Sequence, residues 1–553
     1  MMHPIMRKAV KAMQEKLLRN SIKNAAEWAM TYRIIGGKKW TFKKHSWLYE
    51  PHTYMGPEAH SMKSAQMGFT EYLMNLTFMI IDIMGQSVLY GLPDGDSAKD
   101  FSAGRFDPAL QENKILQDLF SDTKNVGMKR AGASTLYVRG ARSSAKLKSI
   151  PTAGVMMDEI DEWISRSIDL ALERASGQVE KWIRSISTPS VSGVGVHKLY
   201  SDTTKSEFMF KCPRCGKYEM LTFNPDDESE SSLYIPTEDP TSKDIYKAHL
   251  RCKKTKLPLE HGDKINWLAL DNVMYVPEHP DRVTVGWHCS QLYSHMVAPW
   301  EMCKSYLSAL GNPGSVQEFW NSKMGYTHIE EGCAITDKDL QDSQGQHQMG
   351  THSGDNLVTM GVDVGSKYIH VEIDAWYTNP NAQSHDINDQ STARLLLATK
   401  VTEWSEVDWL MNKYQVNYAV VDAGPEYRNA RDFCNRHYGR AKRCFFASSS
   451  SKSDITSPAE SDVVTVNRTI WIDQSLSRFR EGSKGIALPL DTPLEYKKNV
   501  QALIRAYKRN DQTGEMAAYY VSGGADHYGF SRTFSEIALA LAAGKGVNTD
   551  ITE

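Results

Sequence analysis

A two-part α/β protein carrying a small cysteine-bearing insertion is the fold that this sequence of 553 residues predicts. Three observations carry the prediction. The turn Lys63-Ser-Ala-Gln-Met-Gly-Phe-Thr70 leads into an apolar helix over 72–83, and alternating strands and helices follow it. The pair Cys212 and Cys215 then interrupts the alternation with a metal-knuckle pattern. Beyond a polar stretch, a buried strand with Asp363, a hairpin strand, a helix and a strand ending in Asp422 succeed one another.

Length and composition accommodate such a chain. It is too long for one core and calls for three or so domains. Hydrophobic residues at 41% and charged residues at 24% are those of a soluble globular protein. No apolar run approaches the roughly 18 residues of a membrane span, so no membrane partner is expected. The N-terminus has no signal-peptide core. Eight unevenly spaced cysteines favour a reducing compartment and a metal site over a disulfide framework. A net charge of −3 argues against a protein that coats nucleic acid non-specifically. The first 45 residues are the exception, with eleven Lys/Arg against Glu15 and Glu27. There Ile5, Val10, Met13, Leu17 and Ile22 form a rough helical stripe, which predicts a basic helical arm over 1–45. It either packs on its own domain or reaches a partner or DNA.

Residues 46–205 read as a P-loop ATPase domain. The usual phosphate loop is G-x-x-x-x-G-K-[ST]. Here Gly68 and Thr70 hold the positions of the second glycine and the Mg²⁺ ligand, Phe69 takes the lysine slot, and Lys63 stands where the first glycine belongs. A lysine stem is long enough to reach the β- and γ-phosphates from either end of the loop. The N–H groups of the loop, Ser64 and Gln66 among its residues, and the helix start supply the anion site. Next, 87–90 and 136–138 read as strands, and Gly154-Val-Met-Met157 runs into Asp158-Glu159. That is a Walker B pattern: Asp158 orients Mg²⁺ and Glu159 activates the attacking water. The strand 182–188 ends in Ser187-Thr188, small hydroxyls suited to coupling hydrolysis to movement.

Residues 206–270 predict a zinc-ribbon-like insertion. Cys212-Pro-Arg-Cys215-Gly is one complete knuckle, whereas Cys252-Lys-Lys-Thr255 puts threonine where a fourth cysteine belongs. His261 is the expected replacement, giving Cys212, Cys215, Cys252 and His261 around structural Zn²⁺; the alternative is a relic ribbon held by its own small core. Residues 271–342 return to the ATPase domain through helices near 300–310 and 315–324, and the Gln-, Gly- and Ser-rich segment 343–356 reads as a linker.

Residues 357–553 read as a ribonuclease-H-like nuclease domain. Strand, hairpin strand, helix and strand place Asp363 and Asp422 on neighbouring strands. Carboxylates that close stay ionised only with cations between them, which is the logic of a two-metal phosphodiesterase. The third ligand comes from the start of the late helix, Asp526 before His527, or from Glu536 inside it. Glu372 and Asp374 share one strand face, and alternation alone does not say whether that face is wet.

The ordered set Lys63–Thr70, Phe101–Pro108, Val155–Glu159 and Ser185–Pro189 resembles the large terminase subunit of tailed phages, on its lambda-like branch. The resemblance covers about 47–544. It implies that Lys63 contacts the β/γ-phosphates of ATP, that Thr70 and Asp158 hold Mg²⁺, and that Glu159 is catalytic. Ser187 and Thr188 become the coupling motif, and Arg105, Arg139 or Arg142 the transition-state arginine. It further implies concatemeric double-stranded DNA as substrate, a terminase small subunit and the procapsid portal protein as partners, a homo-oligomeric ring, Mg²⁺ or Mn²⁺ in the nuclease, and action in the host cytoplasm. The alternative is an ATP-dependent helicase–nuclease of recombination or repair, and a third reading is a non-catalytic scaffold with vestigial motifs.

Overall fold

The computed structural model describes residue 13 and residues 17–544, apart from 121–124, 144–146, 149, 329–331, 352–355, 379–385, 425, 448–453, 459 and 510–514. Of the expected basic arm's stripe, Ile5 and Val10 lie outside the described residues, whereas Met13 and Leu17 are exposed and Ile22 is buried. The chain forms two compact units, Met1–His328 and Ile329–Glu553. The division falls ahead of the 343–356 segment expected as the linker. Within the second unit, Gln344 of that segment bridges to Leu488.

The first unit is built on a ten-stranded sheet. Its parallel centre comprises β1 (Glu58–Lys63), β2 (Val88–Leu92), β3 (Ser134–Gly140), β4 (Gly154–Asp158), β5 (Trp182–Ser187), β6 (Ser206–Lys211) and β7 (Val285–Cys289). The spatial order is β6-β7-β1-β5-β4-β2-β3. Such strands are covered on both faces, which explains why β2, β4 and β5 are buried at every position and read as continuous rather than alternating. β5 separates the phosphate-loop strand from the Asp-Glu strand, the arrangement of ASCE-type P-loop ATPases. All these strands run the same way, so Lys63, Asp158 and Ser187 collect at the same edge of the sheet. Helix α1 (Phe69–Asp82) starts directly after Gly68, whose left-handed backbone (φ +81°) suits glycine, and packs its length into the core.

The insertion leaves the sheet after β6. The hairpin strand Tyr218–Glu219 turns back on β6, and Val273–Pro277 pairs with β6 on return. Between them lies a three-stranded sheet of Leu233–Tyr234, His249–Arg251 and Pro258–Leu259.

The second unit holds an eight-stranded sheet. β8 (Leu357–Val364), β9 (Ile369–Thr378) and β10 (Ser391–Val401) form an antiparallel meander. After helix α2 (Trp404–Lys413), β11 (Tyr418–Asp422) adds parallel to β8, and β12 (Ala441–Ala447) parallel to β11. The order β10-β9-β8-β11-β12 is ribonuclease-H-like. Helix α3 (Arg468–Arg480) precedes the last helix, α4 (His527–Ala542), which lies across β8 and β11. Gly361 makes that approach feasible, since a Cβ there would sit 1.8 Å from the Ser531 carbonyl oxygen.

The face between β9 and α4 is dry and ionic. Arg532 contacts Asp374, Glu372 (3.4 Å) and Glu536 (2.6 Å), and Arg478 donates to Glu536 at 2.6 Å. All three carboxylate side chains and the Arg532 side chain are fully buried. Burial and the neighbouring Asp374 push Glu372 well above the usual carboxylate range. Burial would also raise Glu536, but Arg478 and Arg532 outweigh it and hold this group low. This decides two points that the sequence leaves open. Glu536 is not a free metal ligand, and Glu372 and Asp374 occupy the dry face. Removing one partner from a buried pair strands the rest and costs about 3–5 kcal/mol. Glu536→Ala is therefore expected to lower the urea unfolding midpoint of the second unit sharply, and an unchanged midpoint would contradict the structural role.

Candidate active sites

At the β1 edge, the loop is held through its first residues and at Met67, whose carbonyl accepts from Trp47 Nε1 at 2.8 Å. Ser64 N–H donates to the Cys289 carbonyl (3.0 Å), Ala65 N–H to the Ser322 carbonyl (2.8 Å), and the Gln291 amide to the Ala65 carbonyl (2.8 Å). The N–H groups of Gln66 to Thr70 have no acceptor among the described residues, which leaves them for an anion. Lys63 is buried and its Nζ donates to Thr188 Oγ1 at 3.3 Å. Burial lowers its pKa, while Asp158, Glu159 and Asp161 pull the other way. The displaced lysine thus faces the Walker B carboxylates from the opposite end of the loop.

Asp158 accepts a hydrogen bond from Tyr90 Oη (2.8 Å) on β2. Burial raises its pKa to about 6 against the opposing pull of Lys63, with Glu159 adding to the rise and Thr70 lowering it. Its Oδ1 is buried without a partner, as befits an oxygen directed at a hydrated Mg²⁺. Glu159 is exposed and has a left-handed backbone (φ +53°), a state that costs a non-glycine residue about 1–3 kcal/mol.

Sequence reasoning missed Tyr90 and Asp161. Asp161 accepts from Ser190 N–H and Oγ (both 2.7 Å) and from Val196 N–H (2.7 Å), and its own N–H donates to Ser187 Oγ (3.3 Å). It therefore fixes the Ser187–Thr188 segment beside Lys63. The three candidate arginines differ. Arg105 is exposed and pairs with Glu71, next to Thr70, at 3.4 Å. Arg139 donates to the Gly127 and Val138 carbonyls, and Arg142, largely exposed, faces Asp94 at 3.8 Å.

In the second unit, Val362 pairs with Val421, so Asp363 and Asp422 stand side by side at the ends of β8 and β11. Burial raises both, and Asp363 raises Asp422 further, as two neighbouring carboxyls require. His527 Nδ1 lies 2.7 Å from Asp363 Oδ2. Asp526 caps α4 close enough to raise Asp363. His370, opposite Asp363 in the hairpin register, stacks on His527 at 4.3 Å. Asp363, His370 and His527 offer ligand atoms within 4.8 Å of one another, and His370 Nδ1 is buried without a partner. His370 was not foreseen, although the hairpin register was its signal.

In the insertion, Cys212, Cys215 and Cys252 converge, but His261 does not join them. Its neighbours are Lys264 and His295. The group beside the three sulfurs is Glu219, with all four ligand atoms within 4.8 Å.

Known proteins share both sites' frameworks. Residues 57–272 match the family described as phage terminase large subunit gpA, ATPase domain, and residues 284–512 match terminase large subunit gpA, endonuclease domain. The second match stops short of Asp526 and His527. The large terminase subunit of Escherichia phage lambda is 23% identical over 70% of this chain and 65% of its own length. That of Enterobacteria phage P21 is 21% identical over 57% of this chain and 53% of its own. The chain thus spans less than two thirds of these relatives. The HK97 bacteriophage large terminase superposes with a TM-score of 0.52 at 9% identity, over 93% of this chain and 98% of that one, a likeness of fold. With a gpA ATPase match followed by a gpA endonuclease match over most of its length, the chain belongs to the family of phage terminase large subunits.

Proposed function

We propose that this chain hydrolyses ATP to drive double-stranded DNA into a phage capsid and cuts concatemeric DNA with its second unit. The observation that carries the reading is the pairing, in one gpA-family chain, of Lys63, Asp158 and Ser187 at one sheet edge with Asp363 beside Asp422 in another sheet. The helicase–nuclease alternative is not favoured by the gpA matches.

At the first site, the free N–H groups of Gln66–Thr70 cradle the phosphates, and Lys63 adds the positive charge that the usual lysine slot lacks. Thr70 and the unpartnered Asp158 Oδ1 are the ligands for the ion that accompanies ATP. Glu159 accepts a proton from water as that water's oxygen bonds to the γ-phosphorus and the bond to ADP breaks. Thr188, bonded to Lys63, reads the phosphate state, and Asp161 transmits it to the segment around Ser190 and Val196. At the second site, Asp363, Asp422 and Asp526 form the carboxylate set, and His527 orients Asp363. Mg²⁺ or Mn²⁺ there supplies charge for the attacking and leaving oxygens of the phosphodiester. A small subunit that selects the DNA, the portal protein, a ring of copies and the host cytoplasm complete the proposal. Among the described residues no helix is long and apolar enough to cross a membrane.

Separate loss of the two activities tests it. Glu159→Gln is expected to abolish ATP turnover while nucleotide still binds, read by a fluorescent-nucleotide titration beside a phosphate-release assay. Normal turnover in this variant would remove Glu159 from the chemistry. Asp422→Asn is expected to abolish duplex cutting in Mg²⁺ or Mn²⁺ and to leave ATP hydrolysis intact. Undiminished cutting would place the nuclease centre elsewhere.

A further inference from the structure

The cysteine cluster lies outside both reaction sites and belongs to neither. We propose that Cys212, Cys215, Cys252 and Glu219 bind a single structural zinc ion as a Cys₃Glu site, with Glu219 standing in for the cysteine that Thr255 replaces.

Two turns of like construction build it. In the first, Cys212 N–H donates to the Lys217 carbonyl and Gly216 N–H to the Cys212 carbonyl, both at 2.8 Å. In the second, Cys252 N–H donates to the Leu257 carbonyl (3.0 Å) and Lys256 N–H to the Cys252 carbonyl (2.8 Å). Thr255 N–H donates to Cys252 Sγ at 3.3 Å, the contact a zinc knuckle gives its thiolate. The fourth corner is empty of sulfur at Thr255. Glu219, on the strand that follows the first turn, reaches into it: its Oε1 lies 3.0 Å from Cys215 Sγ and 3.4 Å from Cys252 Sγ. Tetrahedral zinc with Zn–S bonds near 2.3 Å holds its sulfurs about 3.8 Å apart, which a cluster closed within 4.8 Å accommodates.

The chemistry of the set also suits a cation. Four groups that are all anionic when ionised share one small volume, and Glu219 has no ion-pair partner among the described residues. No disulfide relieves the cysteines, which are all free. The three-stranded sheet, with strands of two, three and two residues, has no core of its own, and its Leu233, Leu250 and Leu259 share the main hydrophobic cluster. A metal joining Cys252 of that sheet to the hairpin after β6 staples the insertion to the main sheet. β6 lies two strands from the strand that carries Lys63, so the staple secures the sheet flank beside the phosphate loop.

Zinc content of the full chain, measured by mass spectrometry after dialysis against buffered zinc, tests the site independently of either reaction. Wild type is expected to retain a single ion. Cys252→Ser and Glu219→Ala are expected to weaken binding at least as much as the roughly 10–100-fold that loss of an outer-shell partner costs. His261→Ala is expected to retain the ion. Glu219→Cys, which restores a fourth sulfur, is expected to bind and to strengthen the thiolate-to-cobalt charge-transfer band when Co²⁺ replaces zinc, so a folding failure in the alanine variant does not decide the matter. Absence of zinc and of a cobalt spectrum in wild type, retention by Glu219→Ala, or loss in His261→Ala overturns the proposal.

Discussion

A carboxylate at the end of a buried strand is tolerated only when positive charge or donated hydrogen bonds offset its lost hydration, and both working ends of this chain are built on that constraint. In the first unit, parallel strands covered on both faces carry Asp158 out of water, where Lys63 and Tyr90 provide part of the offset and one oxygen is left without a partner. In the second unit, parallel β8 and β11 bring Asp363 and Asp422 together, and each raises the cost of ionising its neighbour. On the proposed function, an ion and a phosphate are what complete each site.

The cluster around Arg532 is the counterexample within the same fold. Its carboxylates are equally buried, yet two guanidiniums, a serine, an asparagine and a tyrosine bond to them, and only Glu372 Oε2 and Asp374 Oδ1 are left without a partner among the described residues. It fixes α4 on the sheet and so sets the position of Asp526 and His527 at the helix start. A buried ion-paired cluster in the middle of the helix thereby positions the carboxylate and imidazole at its start.

What was legible in the sequence was local. The displaced lysine, the Asp158-Glu159 strand end, the Cys212–Cys215 knuckle and the order of strands with Asp363 and Asp422 each lie within a few residues, and each kept its expected element. What was not legible depends on contacts between distant segments. Period two placed Glu372 and Asp374 on one face but carried no information on what covers it, and Glu536 looked free until Arg478, 58 residues away, was seen to hold it. His261 is the first histidine after Cys252, whereas the fold brings Glu219 back through a two-residue hairpin strand. Tyr90 and Asp161 escaped notice for the same reason, since neither belongs to a motif and each acts through a partner on another strand or loop.

The most direct measurement of this account is anomalous scattering from crystals of the full chain grown with Mn²⁺ and a non-hydrolysable ATP analogue. Density peaks beside Asp158 and Thr70, and between Asp363 and Asp422, are the predicted result. Ions bound instead at Glu372 or Glu536, or an analogue seated away from Lys63, would contradict it.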